Sequence, residues 1–290
     1  MISLGIYEKA LPDDLSWNEK LLLVKELGFN YLELSVDESD EKLARLNWED
    51  EEIKEVTNAI KETGTPIYTL MLSGHRRYPL GSSKYEDRDK SIEMAYKAID
   101  LARKIGIRNI QLAGYDVYYE KKSVLSNTLF LEGLQDIVNY AASSQVMLAI
   151  ETMDDPFINS ITKVRNIKKQ IKSPWLQAYP DLGNISAWPQ NNIINELAIG
   201  FENIVSIHLK DTLQVSKDFP GKFKNVDFGT GCVDFKGCLK FLNDMGYSGT
   251  YTIEMWNQGN NSEAIAKIKE AKLFFEDIFD ECGIVQRRNK

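Results

Sequence analysis

The chain has 290 residues, 43% of them hydrophobic, which is enough for one large core and close to the roughly 250 residues of a (β/α)8 barrel. A net charge of −8 argues against a nucleic-acid partner, because surfaces that neutralise phosphates are basic. The cysteines Cys232, Cys238 and Cys282 are odd in number and form no C-x-x-C pair, so neither a disulfide framework nor a zinc knuckle is expected, and no apolar run approaches the roughly 18 residues of a membrane span.

Met1-Ile-Ser-Leu-Gly enters a strand pattern directly, without a basic stretch leading into an apolar one. A cytoplasmic protein without a targeting segment is therefore expected. From there short apolar runs alternate with long amphipathic segments, and no Pro/Gly/Ser-rich linker interrupts them, so residues 1–290 read as one domain. Strands are predicted at Leu4–Tyr7, Tyr31–Val36, Ile67–Ser73, Asn109–Ala113, Met147–Thr152, Leu176–Asp181, Val205–Lys210 and Thr250–Met255. Between the first two, Ser16-Trp-Asn-Glu19 has capping-box spacing ahead of a helix over Lys20–Leu27, and Gly28 is placed to close that helix in a left-handed conformation. The same helix-end glycine recurs at Gly64, Gly106 and Gly246. Ala271–Phe279 is predicted to pack a helix onto the barrel. Alternating α and β suits an open doubly wound sheet as well as a barrel. The count of eight, and the absence of a G-x-G-x-x-G loop after the first strand, favour an α/β fold of the (β/α)8 TIM-barrel type.

Only two histidines occur, His75 and His208. His208 lies in Ile204-Val-Ser-Ile-His-Leu-Lys-Asp211, an apolar-led run that ends in polar groups, and three other strand-like runs end in a bare acid: Glu151, Asp181 and Glu254. Each acid alone is as easily a cap on the following helix. At the ends of parallel barrel strands, however, all four converge on one rim, where such folds build active sites. One imidazole with three carboxylates suits a divalent ion of the Mn²⁺, Mg²⁺, Co²⁺ or Zn²⁺ kind.

The segments Glu151-Thr-Met-Asp154, Asp181-Leu-Gly-Asn184, His208-Leu-Lys-Asp211 and Ile253-Glu-Met-Trp256 resemble the xylose-isomerase-like barrels, a group of sugar epimerases and isomerases that also includes the endonuclease-four type of DNA repair enzyme. Ser3-Leu-Gly-Ile-Tyr-Glu-Lys-Ala10, Met71-Leu-Ser-Gly-His-Arg-Arg77, Gly81-Ser-Ser83, Phe219-Pro-Gly-Lys-Phe-Lys224 and Phe228-Gly-Thr-Gly-Cys-Val-Asp234 extend the likeness over the whole chain, toward the L-ribulose-5-phosphate 3-epimerase family of pentose and ascorbate catabolism.

The resemblance implies a divalent metal, Mn²⁺ or Zn²⁺ with Mg²⁺ or Co²⁺ as alternatives, on Glu151, Asp181, His208 and Glu254. It also implies C3 inversion of L-xylulose 5-phosphate to L-ribulose 5-phosphate through an enediolate, with Glu151 and Glu254 exchanging the proton. His75, Arg76, Asn184 and Lys222, the last paired with Lys224, are the candidate substrate and phosphate contacts. Glu33 is expected behind the ligands or in a structural role, Asp211 either behind His208 or Lys210 or as a cap on the next segment, and Tyr7, Trp188 and Trp256 are candidate walls. Free-ketohexose 3-epimerases carry His and Arg where this chain has Asn184 and Gln214, which favours a sugar phosphate. The alternatives are an epimerase or aldose–ketose isomerase of a free sugar, a non-catalytic sugar-binding barrel, and the nuclease, which two histidines cannot supply with a three-zinc cluster. The expected partner is a small sugar phosphate, with no nucleic acid and no membrane. A homodimer is compatible, since barrels of this group often pair.

Overall fold

The computed structural model describes residues 1–287. Its eight strands are β1 (Ser3–Tyr7), β2 (Tyr31–Val36), β3 (Ile67–Leu72), β4 (Asn109–Ala113), β5 (Met147–Glu151), β6 (Leu176–Tyr179), β7 (Ser206–Leu209) and β8 (Thr250–Ile253). All seven ladders between neighbours are parallel, in the order β6-β5-β4-β3-β2-β1-β8-β7. The two ends of that order meet through the bridges Ala178–Ile204 and Asp181–His208, which close the barrel. The eight predicted strands are all present, and the ends differ by a residue or two.

Around the strands lie α1 (Trp17–Glu26), α2 (Asp40–Ala44), α3 (Asp50–Thr63), α4 (Tyr85–Ile105), α5 (Val124–Ser144), α6 (Ile161–Gln170), α7 (Leu182–Ser186), α8 (Ile193–Gly200), α9 (Phe235–Asp244) and α10 (Asn261–Glu281). The capping box before α1 forms as expected: Ser16 accepts from the Glu19 N–H and Glu19 accepts from the Ser16 N–H at 2.8 Å. Gly64 and Gly106 close α3 and α4 at φ +72° and +87°, a region that costs a residue with a Cβ. Ala271, Phe275 and Phe279 are buried on α10 against the barrel.

Alternation along each strand separates two interiors. Leu32 and Leu34 of β2 face outward into the apolar layer between barrel and helices, with Val24, Ile99 and Phe275. Their neighbours Tyr31, Glu33 and Ser35 face into the barrel, where the filling is polar and fully hydrogen-bonded in places: Tyr179 Oη donates to Glu33 at 2.7 Å, Thr69 Oγ1 donates to Glu33 at 2.6 Å, and the Tyr31 and Thr252 hydroxyls are 2.7 Å apart. That web supports the floor of the pocket at the strand C-termini. Among the described residues, no helix is long and apolar enough to cross a membrane.

Candidate metal centre and active site

Four strand ends deliver the cluster. Glu151 is the last residue of β5, Asp181 follows β6, His208 lies in β7 and Glu254 follows β8. All four are buried, and one ligand atom from each lies within 4.8 Å of the others. Asp181 is also the N-cap of α7, its Oδ1 accepting from the Asn184 N–H at 2.8 Å, so the capping role and the cluster role fall on the same residue. Gly183 keeps this turn against β7, because a Cβ there would stand 2.5 Å from the Lys210 carbonyl oxygen.

His208 is gripped from both sides. Its Nδ1 faces the cluster, 2.8 Å from Glu151 and 3.8 Å from Glu254, while Nε2 lies 2.6 Å from Glu33. Glu33, in the middle of β2, therefore sits behind the imidazole as expected and fixes the ring that presents Nδ1 to the acids. Gln111 Nε2 donates to Glu151 from the neighbouring strand. Lys210 Nζ is 2.7 Å from both Asp181 Oδ2 and Glu254 Oε2, two buried oxygens without a well-formed hydrogen bond. Buried carboxylate oxygens that lack a well-formed hydrogen bond are what a cation needs, so the donor set fits a divalent ion.

Burial and neighbouring charge pull these groups apart. Burial works against the His208 cation, but Glu33, Glu151 and Glu254 push its pKa well above the ordinary imidazole value. Burial also raises the Glu151 and Asp181 carboxyls, opposed by His208 and Lys210 respectively. At Glu254 the opposition wins: despite burial, Lys210 and His208 hold the carboxyl down to about 2.

A narrow pocket above the cluster is lined by Tyr7, Lys9, Arg76, Asp154, Asn184, Phe223, Lys224 and Trp256, together with Glu151, Lys210 and Glu254. Tyr7 and Trp256 thus stand at the wall, and Trp188 lies behind it with its ring 6.0 Å from Phe223. Asn184 donates to the Thr152 carbonyl at 2.8 Å and leaves its Oδ1 without a partner. Arg76 has its guanidinium 5.5 Å from the rings of both Tyr115 and Tyr118, and Tyr115 in turn donates to Asp154.

Three expectations need correction. His75 does not reach this pocket: its buried ring accompanies Leu80, Leu112 and Phe130 in the layer between strands and helices, Nε2 is 3.3 Å from the Ser91 carbonyl, and burial lowers its pKa to about 4. The one-turn helix Gly74–Arg76 turns His75 outward and Arg76 inward. Lys222 is exposed on a hairpin-like arm, where its backbone pairs with Leu213, and Lys224 lines the pocket instead, with its Nζ 5.2 Å from the Trp256 ring. Among the described residues no hydrogen bond or ion pair joins the Asp211 side chain to His208 or Lys210; its carboxylate accepts instead from the N–H groups of Thr212, Gly229 and Gly231, each at 2.9 Å, and so caps the segment that follows. Gln214 is exposed and Arg77 pairs with Asp40 at the surface.

Lys210 was missed, although the sequence carried its signal: it stands two residues from His208 on an extended run, which turns both side chains to the same side. Gln111, Tyr115, Asp154 and Lys9 carried no such signal.

Residues 21–278 match the xylose isomerase-like TIM barrel family. The chain is 45% identical over 285 residues to the L-ribulose-5-phosphate 3-epimerase UlaE of Escherichia coli O157:H7, covering 98% of each protein. It is 48% identical over 282 residues to SgbU of Escherichia coli K12, which is provisionally named for the same activity, with 97% of this chain and 98% of that protein covered. Among solved structures, a D-psicose 3-epimerase from Clostridium cellulolyticum H10 with D-tagatose shares the fold at a TM-score of 0.78 and 14% identity, over 96% of this chain and 99% of that one. An L-ribulose 3-epimerase does so at 0.75 and 15%, over 97% and 96%. The chain belongs to the xylose isomerase-like TIM barrel family and, within it, to the L-ribulose-5-phosphate 3-epimerase family of these relatives.

Proposed function

We propose that this chain, acting as one domain, inverts C3 of a ketopentose 5-phosphate, interconverting L-xylulose 5-phosphate and L-ribulose 5-phosphate in carbohydrate metabolism. It is a carbohydrate epimerase of the isomerase class. The observation that carries this reading is the pairing of Glu151 and Glu254, two buried acids from β5 and the end of β8, in one pocket of a chain so similar to epimerases of that substrate. Glu151, Asp181, His208 and Glu254 would hold a divalent ion, which would supply polarisation of the ketose carbonyl and so acidify the C3 proton. Mn²⁺ or Zn²⁺ suits the mixed imidazole and carboxylate set best, and Mg²⁺ or Co²⁺ is compatible.

The chain's own groups do the rest. One glutamate takes the C3 proton as the C–H electron pair moves into an enediolate, and the other gives a proton to the opposite face, so C3 inverts and nothing is oxidised or reduced. Tyr7 and Trp256 wall the sugar, and Asn184 has a free buried Oδ1 for a hydroxyl. Arg76 and Lys224 hold the phosphate end, since a phosphate monoester matches guanidinium and ammonium donors. Pentose or ascorbate catabolism, in the cytoplasm, is the setting this substrate suits.

Proton NMR in D₂O with L-ribulose 5-phosphate, on chelated protein and after addition of Mn²⁺, Zn²⁺ or Mg²⁺, tests the reading. The expected result is metal-dependent L-xylulose 5-phosphate carrying deuterium at C3, abolished in Glu254→Gln. No exchange at C3 with any of these ions would overturn it.

A further inference from the structure

The carboxylate cluster already contains a cation supplied by the chain. Lys210 follows His208 by two residues and brings its Nζ to 2.7 Å from Asp181 Oδ2 and from Glu254 Oε2, with only 7% of its side chain exposed. Both oxygens otherwise lack a well-formed hydrogen bond, and both residues belong to the four-residue set whose ligand atoms cluster within 4.8 Å. Buried acids without a counter-charge are strongly destabilising, so a chain that must fold before it meets an ion gains from an internal cation at this place. An ammonium at hydrogen-bond distance from two of the four ligands also occupies their free oxygens and repels an incoming dication.

We propose that Lys210 is the built-in counter-ion of the cluster: it neutralises Asp181 and Glu254 when no divalent ion is bound and yields those oxygens when one arrives, so that its charge sets the affinity for the ion. The side chain has somewhere to go. Lys210 also lines a second cavity, shared with Trp256, Asp227 and Glu270 on the side toward α10, and its Nζ already stands 5.7 Å from the Trp256 ring. A four-carbon stem bearing a compact charge moves between such stations more readily than a planar guanidinium fork.

The inference rests on reading the cluster as a metal site and is independent of turnover. The experiment is calorimetric titration with Mn²⁺ of chelator-stripped wild type, Lys210→Gln and Lys210→Arg, with thermal melts of each with and without the ion. Removal of one adjacent positive charge is expected to tighten Mn²⁺ binding roughly tenfold or more, while Lys210→Arg, which keeps the charge, stays within about threefold of wild type. Metal-free Lys210→Gln is expected to melt lower than metal-free wild type and to gain more from Mn²⁺. If the stripped variant does not stay folded, its affinity is read from the loaded protein by competition with a chelator. Equal or weaker Mn²⁺ binding by Lys210→Gln, an equal tightening by Lys210→Arg, or no binding by wild type would each overturn the proposal. A chain that shows the expected pattern yet leaves C3 unexchanged would overturn the epimerase reading alone.

Discussion

Arg76 and Lys224 face one narrow pocket, and among the described residues neither has a carboxylate within ion-pair distance. Burial lowers the Lys224 pKa, and repulsion from Arg76 adds to it, so an anion between them relieves both. Arg76→Gln and Lys224→Gln are each expected to raise KM for the phosphorylated ketose roughly tenfold or more, the worth of a charged hydrogen bond, with kcat little changed. Steady-state kinetics beside unphosphorylated L-ribulose checks this: an equal loss on both sugars would remove these residues from phosphate binding. A charge that is buried, Glu8, is held by Arg45 at 2.5 and 2.7 Å and by Lys20 at 3.1 Å. Burial would raise its carboxyl, but Arg45 and Lys20 prevail and bring it down to about 2. The folded pKa lies below the unfolded one, so this stabilisation, about 3 kcal/mol, is present above the ordinary carboxylate pKa and is lost as pH falls toward 2. Urea melts between pH 6 and 2.5 are expected to show wild type losing stability more steeply than Glu8→Gln; parallel curves would refute it. Residues of this kind were illegible in the sequence because their meaning lies in a partner far along the chain, as Glu8 with Arg45. His75 misled for the converse reason: its neighbours Ser73-Gly-His-Arg-Arg77 suggest a polar loop, and a single turn of 3₁₀ helix decides which side chain points inward.

The segment between β7 and α9 is the longest excursion at the pocket end of the barrel, and it carries both Phe223 and Lys224. Asp211 pins its return limb by accepting from Gly229 and Gly231, with Val233 N–H at 3.4 Å, and a Cβ on Gly231 would collide with that carboxylate. Asp211→Ala leaves several buried N–H groups without acceptors, which costs roughly 2 kcal/mol or more. It is expected to lower the melting temperature and to raise KM for the sugar phosphate while leaving Mn²⁺ affinity intact, as measured by calorimetry; a variant that loses metal binding to the same extent would show that Asp211 acts through His208 after all. The regular elements were readable because each announces itself locally. Strands buried on both faces appear as apolar-led runs, and helices end at glycines such as Gly64 and Gly106 that take positive φ. The irregular ones were not. α2 is five residues long and buries none of them, so it has no apolar stripe to detect, and the arm around Lys222 has no period at all, which is why the wrong lysine of Lys222 and Lys224 was favoured.

Seven of the eight junctions in the barrel are continuous parallel ladders, and the eighth, between β6 and β7, rests on the bonds Val205 N–H to Ala178 O at 3.2 Å and His208 N–H to Pro180 O at 2.9 Å. The four cluster residues come from β5, β6, β7 and β8, the two strands on either side of that junction. Whatever binds the cluster therefore staples the barrel where its backbone closure is thinnest, and Asp181 and His208, which face each other across it, are two of the clasps. A ligand that binds only the folded state adds about 2.7 kcal/mol at a hundred times its Kd, and that gain is felt wherever opening requires the ligand to leave. Hydrogen exchange of the stripped protein is accordingly expected to be fastest, among the strands, in β6 and β7, and addition of Mn²⁺ to slow those amides by roughly a hundredfold at that concentration while β2 and β3, on the far side of the barrel, change least. A uniform slowing of all eight strands would mean that the barrel opens only as a whole. No change at β6 and β7 would mean that the junction is closed by its packing, with Ile207 and Leu209 in the apolar layer, and owes nothing to an ion at the rim.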